Sequence, residues 1–412
     1  MKKIIVILIS LLLWKGVIAN IIYVGPLKNL KSIRAALLIA NKGDTILVAT
    51  GTYKEGNLII SKQLTLIGDN YPILDGQNKF EVISIKANKV VIDGFKIYHS
   101  GTSNLDDYAG IKIYDSREVV IKNNILDDTY FGIYLQYSRK CVVQNNQLKA
   151  YNKGEQQSGN GIHCWKSDSL SIIGNTIDGH RDGIYFEFVT NSLIKRNITI
   201  NNIRYGLHFM FSNNDIYQSN SFINNGAGVA VMYSNKVSML NNQFKENWGD
   251  AAYGLLLKEI SDSYIVGNVF EKNTTGIYLE GASRIKMDHN YFNNNGWAMK
   301  IQASCMDIKV AKNNFIGNTF DIGTNGSLVL NTFNNNYWDK YDGYDLNRDK
   351  IGDIPYRPVS MYSMIVEQNP PAMMLFRSFI TSLLDKTEKL IPSITPENLK
   401  DNMPLMHKAF LN

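Results

Sequence analysis

The stretch Arg204-Tyr205-Gly206-Leu207-His208-Phe209-Met210-Phe211-Ser212-Asn213 is one unit of a long repeat. The same opening glycine with an aliphatic neighbour recurs at Gly110-Ile111, Gly132-Ile133, Gly161-Ile162, Gly183-Ile184, Gly228-Val229, Gly254-Leu255 and Gly276-Ile277. Taken in order with Gly206, the spacings are 22, 29, 22, 23, 22, 26 and 22 residues. An asparagine marker keeps step at Asn124, Asn146, Asn175, Asn197, Asn220, Asn242, Asn268 and Asn290, with further pairs at 313–314 and 335–336. Short β-rich runs such as Val119-Val120-Ile121 and Ser171-Ile172-Ile173 lie between the markers.

A period near 22 with short strands and no helical periodicity specifies a parallel β-solenoid, in which each coil buries its apolar face only by stacking on its neighbours. The expected fold is all-β: a right-handed, single-stranded parallel β-helix of about twelve coils, with a helical cap at the N-terminus and a helical extension at the C-terminus. Asparagine suits the sharp corners because it tolerates left-handed backbone, and stacked carboxamides can form ladders. The longer spacings predict loops near Asn152–Gly159 and Asn247–Ala252. Solenoid ends expose strand edges and need covers. Leu30–Ala40 reads as a short helix stopped by Gly43, followed by strands at Thr45–Ala49, Leu58–Ile60 and Leu64–Ile67.

The repeat bounds the domains. Residues 1–19 read as a secretory signal: Lys2 and Lys3, an apolar core from Ile4 to Trp14, and Val17-Ile18-Ala19 as the cleavage site. Cleavage there removes Lys2, Lys3 and Lys15 and takes the formal charge from +6 to +3, which argues against a nucleic-acid partner. The β-helix spans 20–336 and capping loops 337–369. A tail at 370–412 carries an amphipathic run from Ala372 to Ile391, stopped at Pro392. Of three cysteines, Cys141 and Cys164 face inward on different strands. An odd count in an exported chain points to buried thiols rather than a disulfide framework.

Numbering each unit from its glycine, offsets +1 and +3 are apolar and point inward, so +2 and +4 point outward. Offset +2 reads Tyr134, His163, Tyr185, His208, Ala230, Leu256, Tyr278; offset +4 reads Gln136, Trp165, Glu187, Met210, Met232, Lys258, Glu280. Met210 and Met232 thus share a column on adjacent coils, and His208 shares their face with the small Ala230 beside it. Residues two apart on a strand are about 6.6 Å apart and adjacent coils about 4.8 Å, so the three side chains can converge. Thioether and imidazole are soft-to-borderline donors, which select Cu(I) over calcium or magnesium. His163 and Trp165 extend the same face. A weaker metal candidate is Asp345, Asn347, Asp349 and Asp353, with the oxygen spacing of a calcium loop, although Lys350 replaces its glycine and Tyr356 its bidentate acid. The alternative for such a pattern is a rigid capping turn.

Many β-helices act on polyuronides, which requires carboxylates clustered on one face, or Asp-bound calcium with a basic residue to abstract a proton. Asp106-Asp107, Asp127-Asp128 and His180-Arg181-Asp182 are the candidates, and no outward column stacks acids on adjacent coils. Acid–base catalysis therefore has little support.

Several segments are more specific than the repeat: Arg204–Asn213, Val231-Met-Tyr-Ser234, Asn336-Tyr-Trp-Asp-Lys-Tyr-Asp-Gly-Tyr-Asp-Leu346, Ile351-Gly-Asp-Ile-Pro-Tyr-Arg-Pro-Val-Ser360 and the helix after Pro370-Pro371. In these the chain resembles the NosD family over almost its whole mature length. These are periplasmic β-helix proteins needed for maturation of the copper sites of nitrous oxide reductase. The resemblance implies a non-enzymatic role, receiving and passing on Cu(I). The implied partners are an ABC-type permease with its ATPase, a copper-chaperone lipoprotein, and the reductase itself. It also implies membrane association through the permease, for which Phe376, Phe379 and Leu383 supply an apolar docking face. A polyuronide lyase or epimerase is the alternative reading, and a metal-free scaffold the third.

Overall fold

In the computed structural model, which describes residues 19–103, 106–151, 154–326, 330–390 and 399–409, three parallel sheets wind into one solenoid. The expected signal sequence, residues 1–19, lies outside the described residues up to residue 18. Sheet I has 14 strands, sheet II has 12 and sheet III has 13, so there are about fourteen turns. The expected twelve coils match sheet II alone. The count from glycine markers falls short because the end turns are partial: in the first one a helix replaces the sheet II strand.

That helix, α1 (Ile33–Ile39), is capped by Ser32, whose hydroxyl accepts from the Ala35 amide. The Glu55 carboxylate accepts from the Ile33 and Arg34 amides, placing negative charge at the helix N-terminus. Ile33, Ala36 and Leu37 are buried over the first coil. The strands that follow are Thr45–Val48, Leu58–Ile60 and Thr65–Gly68.

Successive coils pair in register, Leu207 with Val229 and Phe209 with Val231, and these inward residues are fully buried. The interior also stacks Phe222, Phe244, Phe270, Phe292, Phe315 and Trp338 with ring centroids 4.0–5.3 Å apart. The opening glycines are explained by proximity. A Cβ on Gly206 would stand 2.7 Å from the Gly228 carbonyl oxygen and closer still to Thr199.

The corner between sheets I and III carries the asparagine ladder, and its geometry corrects one expectation. The left-handed residue is the one before each ladder asparagine, such as Asn123, Arg196, Ser219 or Lys312, while the asparagine itself points inward and is buried. The backbone amide of Asn220 and its Nδ2 both donate to Asn242 Oδ1 at 3.0 Å, and Nδ2 donates also to the Ile194 carbonyl at 3.0 Å. The pattern repeats from Asn124 to Asn336, with every carboxamide donating toward the C-terminus. A second ladder, Asn202, Asn225, Asn247, Asn273, Asn295 and Asn318, lines the corner between sheets III and II.

A run of donors must end on a group that only accepts. Asp401 is that group: its Oδ2 accepts from Asn336 N and Nδ2 at 2.9 Å and from Trp338 Nε1 at 3.1 Å. The tail is therefore not one helix. Helix α2 (Met361–Gln368) packs Tyr362 and Val366 on Trp297 and Phe320 of the last sheet II strands. A 3₁₀ turn over Pro370–Leu375 and left-handed backbone at Arg377 then break the expected run. Helix α3 (Phe379–Leu390) follows, and residues 399–409 return to the final coil through the Asp401 contacts and Leu405 N to Asn336 O. The expected loops are present at 150–161, apart from 152–153, which lie outside the described residues, and at 248–252. Among the described residues no helix is long and apolar enough to cross a membrane.

Candidate functional site

Sheet II turns its +2 and +4 columns away from the core, as the alternation requires. His208 pairs with Ala230, and Met210 with Met232, so the expected juxtaposition of imidazole and two thioethers is present in register. Both methionines are half-buried. Met210 Sδ lies 3.8 Å from the Tyr185 hydroxyl, which also reaches Glu187 at 3.3 Å.

His208 departs from expectation in being covered. It faces outward from the solenoid, yet the residue is only 6% exposed. Tyr205 leans on its ring at 4.7 Å and Tyr185 meets it edge-on at 5.0 Å. Asp182 Oδ2 lies 3.7 Å from Nδ1, beyond hydrogen-bond range, and neither ring nitrogen has a hydrogen-bond partner. A buried polar atom without a partner costs roughly 1–3 kcal/mol, and the ring nitrogens of His180 share this condition.

Asp182 is completely buried and belongs to the same cluster. Arg204 grips it with Nε at 3.0 Å and Nη2 at 2.7 Å, and Arg204 Nη1 reaches Glu155 at 3.3 Å. Burial works against ionisation of Asp182, but the His208 and Arg204 contacts outweigh it and hold the carboxyl below its usual range. Counting from the glycines missed these residues, because Asp182 and Arg204 fall just before the unit's first strand residue. The triplet His180-Arg181-Asp182 had marked the place, though as a catalytic candidate.

His163 and Trp165 extend the face differently from a ligand set. The His163 ring is sandwiched between Tyr134 and Tyr185 at 4.4 and 4.8 Å, and its Nδ1 accepts from Asn160 Nδ2 at 2.9 Å. Burial, with Arg181 adding to it, pushes its pKa down to about 3, so it stays neutral. Trp165 packs on Tyr137 and Lys166. His180 is wholly buried beneath the second ladder. Cys141, Cys164 and Cys305 are buried free thiols, as expected; burial raises Cys141 to about 11.

The acidic segment is a turn built on its own backbone. Asp345 accepts from the Asp349 and Lys350 amides, Asn347 from Asp349, Asp349 from Ile351, and Asp353 from Leu346. Among the described residues no three His, Cys, Asp or Glu side chains are grouped to hold a metal ion. Of the proposed docking residues, Phe379 and Leu383 are 81% and 52% exposed on α3, whereas Phe376 also packs toward Phe320 at 6.4 Å.

Residues 149–343 match the family described as "Periplasmic copper-binding protein (NosD)", and residues 37–159 match "Right handed beta helix region". A Pseudomonas aeruginosa protein described as "Probable ABC transporter binding protein NosD" is 26% identical over 378 residues, covering 87% of each chain. One of the same description from Stutzerimonas stutzeri is 25% identical over 195 residues, and the chain spans only 44% of that relative's length. The A-module of Azotobacter vinelandii mannuronan C-5 epimerase AlgE4 superposes with a TM-score of 0.53 at 15% identity, over 71% of this chain and 86% of that one. That likeness is one of fold. The sequence matches make the chain a NosD-like protein.

Proposed function

We propose that this NosD-like chain is a periplasmic accessory protein for the copper-site assembly of nitrous oxide reductase, receiving Cu(I) and passing it on alongside an ABC transporter. The single observation that carries this reading is the buried, unpartnered imidazole of His208 beside the in-register pair Met210 and Met232. Two thioethers and an imidazole are soft-to-borderline donors, which suit Cu(I) better than a hard divalent ion, although Glu187 stands beside Met210 in the same column. Copper is cargo here. His208, Met210 and Met232 hold it; the half-buried Met210 and Met232 form the side a partner reaches, while Tyr185 and Tyr205 cover His208. A copper-chaperone lipoprotein is the donor in this reading, and the permease with its ATPase the assembly platform.

The deciding experiment is anaerobic competition for Cu(I) between the mature protein and a chromophoric chelator. His208→Ala and Met210→Ala/Met232→Ala are each expected to weaken binding at least tenfold. Unchanged affinity in both eliminates the site, and release of unsaturated uronides from polyuronate would favour a lyase instead. For the docking face, Phe379→Glu/Leu383→Glu is the informative variant. It is expected to abolish co-purification with the permease. Deleting 370–412 would also remove Asp401 and so open the end of the solenoid.

A further inference from the structure

We propose that Asp182 and Arg204 are positioning residues for His208: the carboxylate, held by the guanidinium, orients the imidazole through Nδ1 and leaves Nε2 free for the soft cation. This rests on the copper-transfer reading above and specifies how that site is built.

Three observations carry it. First, the acid is an exception among the glycine units. The residue preceding each glycine reads Ala109, Phe131, Asn160, Asp182, Tyr205, Ala227, Tyr253 and Thr275, so Asp182 is the one acid among these eight, and the other acid at this register position is the buried Glu81, one coil before Ala109. Second, the acid is fully buried, and desolvating a carboxylate and a guanidinium costs several kcal/mol that their attraction only partly returns. The pair bridges two adjacent coils, with Arg204 still partly exposed, and so fixes the carboxylate from the coil that carries His208. Third, its Oδ2 is 3.7 Å from His208 Nδ1, a small ring rotation from a hydrogen bond, while Tyr185 and Tyr205 confine the ring from two sides. Ligating histidines commonly donate their second N–H to a carboxylate, which fixes the tautomer and raises ligand basicity. The bidentate Arg204 contact holds the Asp182 carboxylate in place.

The test is a double-mutant cycle on Cu(I) affinity, measured with the same chelator and accompanied by thermal melts. Asp182→Asn is expected to weaken Cu(I) binding about 10–100-fold, the usual effect of losing such a supporting group. In a His208→Ala background it should cause no further loss. X-ray absorption on the copper-loaded protein should show one nitrogen and two sulfur scatterers in the wild type and weakened nitrogen scattering in Asp182→Asn. Arg204→Lys keeps the charge but not the fork, and should shift affinity in the same direction by less; it decides the matter if Asp182→Asn does not fold. Wild-type affinity in Asp182→Asn, with His208→Ala weakened, overturns the positioning role and leaves the copper site standing. An equal further loss in the His208→Ala background also overturns it, since the effect would then be structural. Unchanged affinity in His208→Ala removes the site itself, and this proposal with it.

Discussion

The corner ladder from Asn124 to Asn336 and the outer face around His208 are made by the same coils, and they treat polar groups in opposite ways. In the corner, each carboxamide uses both its oxygen and its nitrogen, and the series ends on a carboxylate that accepts everything offered to it. On the outer face, an imidazole is sealed under two tyrosines with neither nitrogen engaged. The first arrangement is what stability selects. The second costs stability, as do the unpartnered ring nitrogens of His180 in the interior; what sets His208 apart is the in-register pair Met210 and Met232 beside it.

The sharpest way to break the contrast is at the end of the ladder. Asp401→Ala should strand the donors of Asn336 and Trp338 at once and lower stability by at least about 3 kcal/mol, read as a fall in the thermal midpoint. Mid-ladder, Asn242→Ala should cost about 2–3 kcal/mol in the same melt, with Cu(I) affinity unmoved. An exception inside the core gives an effect of similar size that depends on pH. Asp215 is buried with Oδ1 accepting from the Ser192 amide and Oδ2 unpartnered, and burial raises its pKa to about 8. Because the folded chain holds a proton there that the unfolded chain releases near pH 4, stability should fall as pH rises from about 4 to about 8. Asp215→Ser repeats the residue found at Ser192 and Ser263 in the same column. It should remove this slope and gain on the order of 3 kcal/mol above pH 8, measured by melts across pH. The smallest stability change belongs to the face with the largest functional one. His208→Ala should alter the midpoint by less than about 1 kcal/mol while weakening Cu(I) binding at least tenfold. A stability loss as large as that of Asn242→Ala would mean the imidazole is simply core.

How far the sequence foretold this depended on which groups speak through the repeat. Glycine and asparagine spacing revealed the solenoid, and counting offsets placed Met210 beside Met232 and His208 beside Ala230, because register in a stacked coil follows directly from the period. Burial on the outer side did not follow. Tyr205, Arg204 and Asp182 belong to the arc before the strand, and alternation within a strand says nothing about what folds back over it. Nor could a period of 22 show that Asp401 closes a ladder ending at Asn336, 65 residues earlier. The tail's apolar spacing suggested one helix, and the break at Arg377 arises where packing on the final coils turns the chain.

The one-directional ladder has a consequence for spacing. Since each asparagine meets an identical neighbour, a whole coil can be inserted or removed without rewriting the hydrogen bonds on either side. Five strand-to-strand steps of sheet II separate Tyr205–Met210 from Phe320–Gly323, a rise of about 24 Å at about 4.8 Å per step. The solenoid is thus a ruler with fixed gradations, setting how far the His208 face stands from the helices at its end.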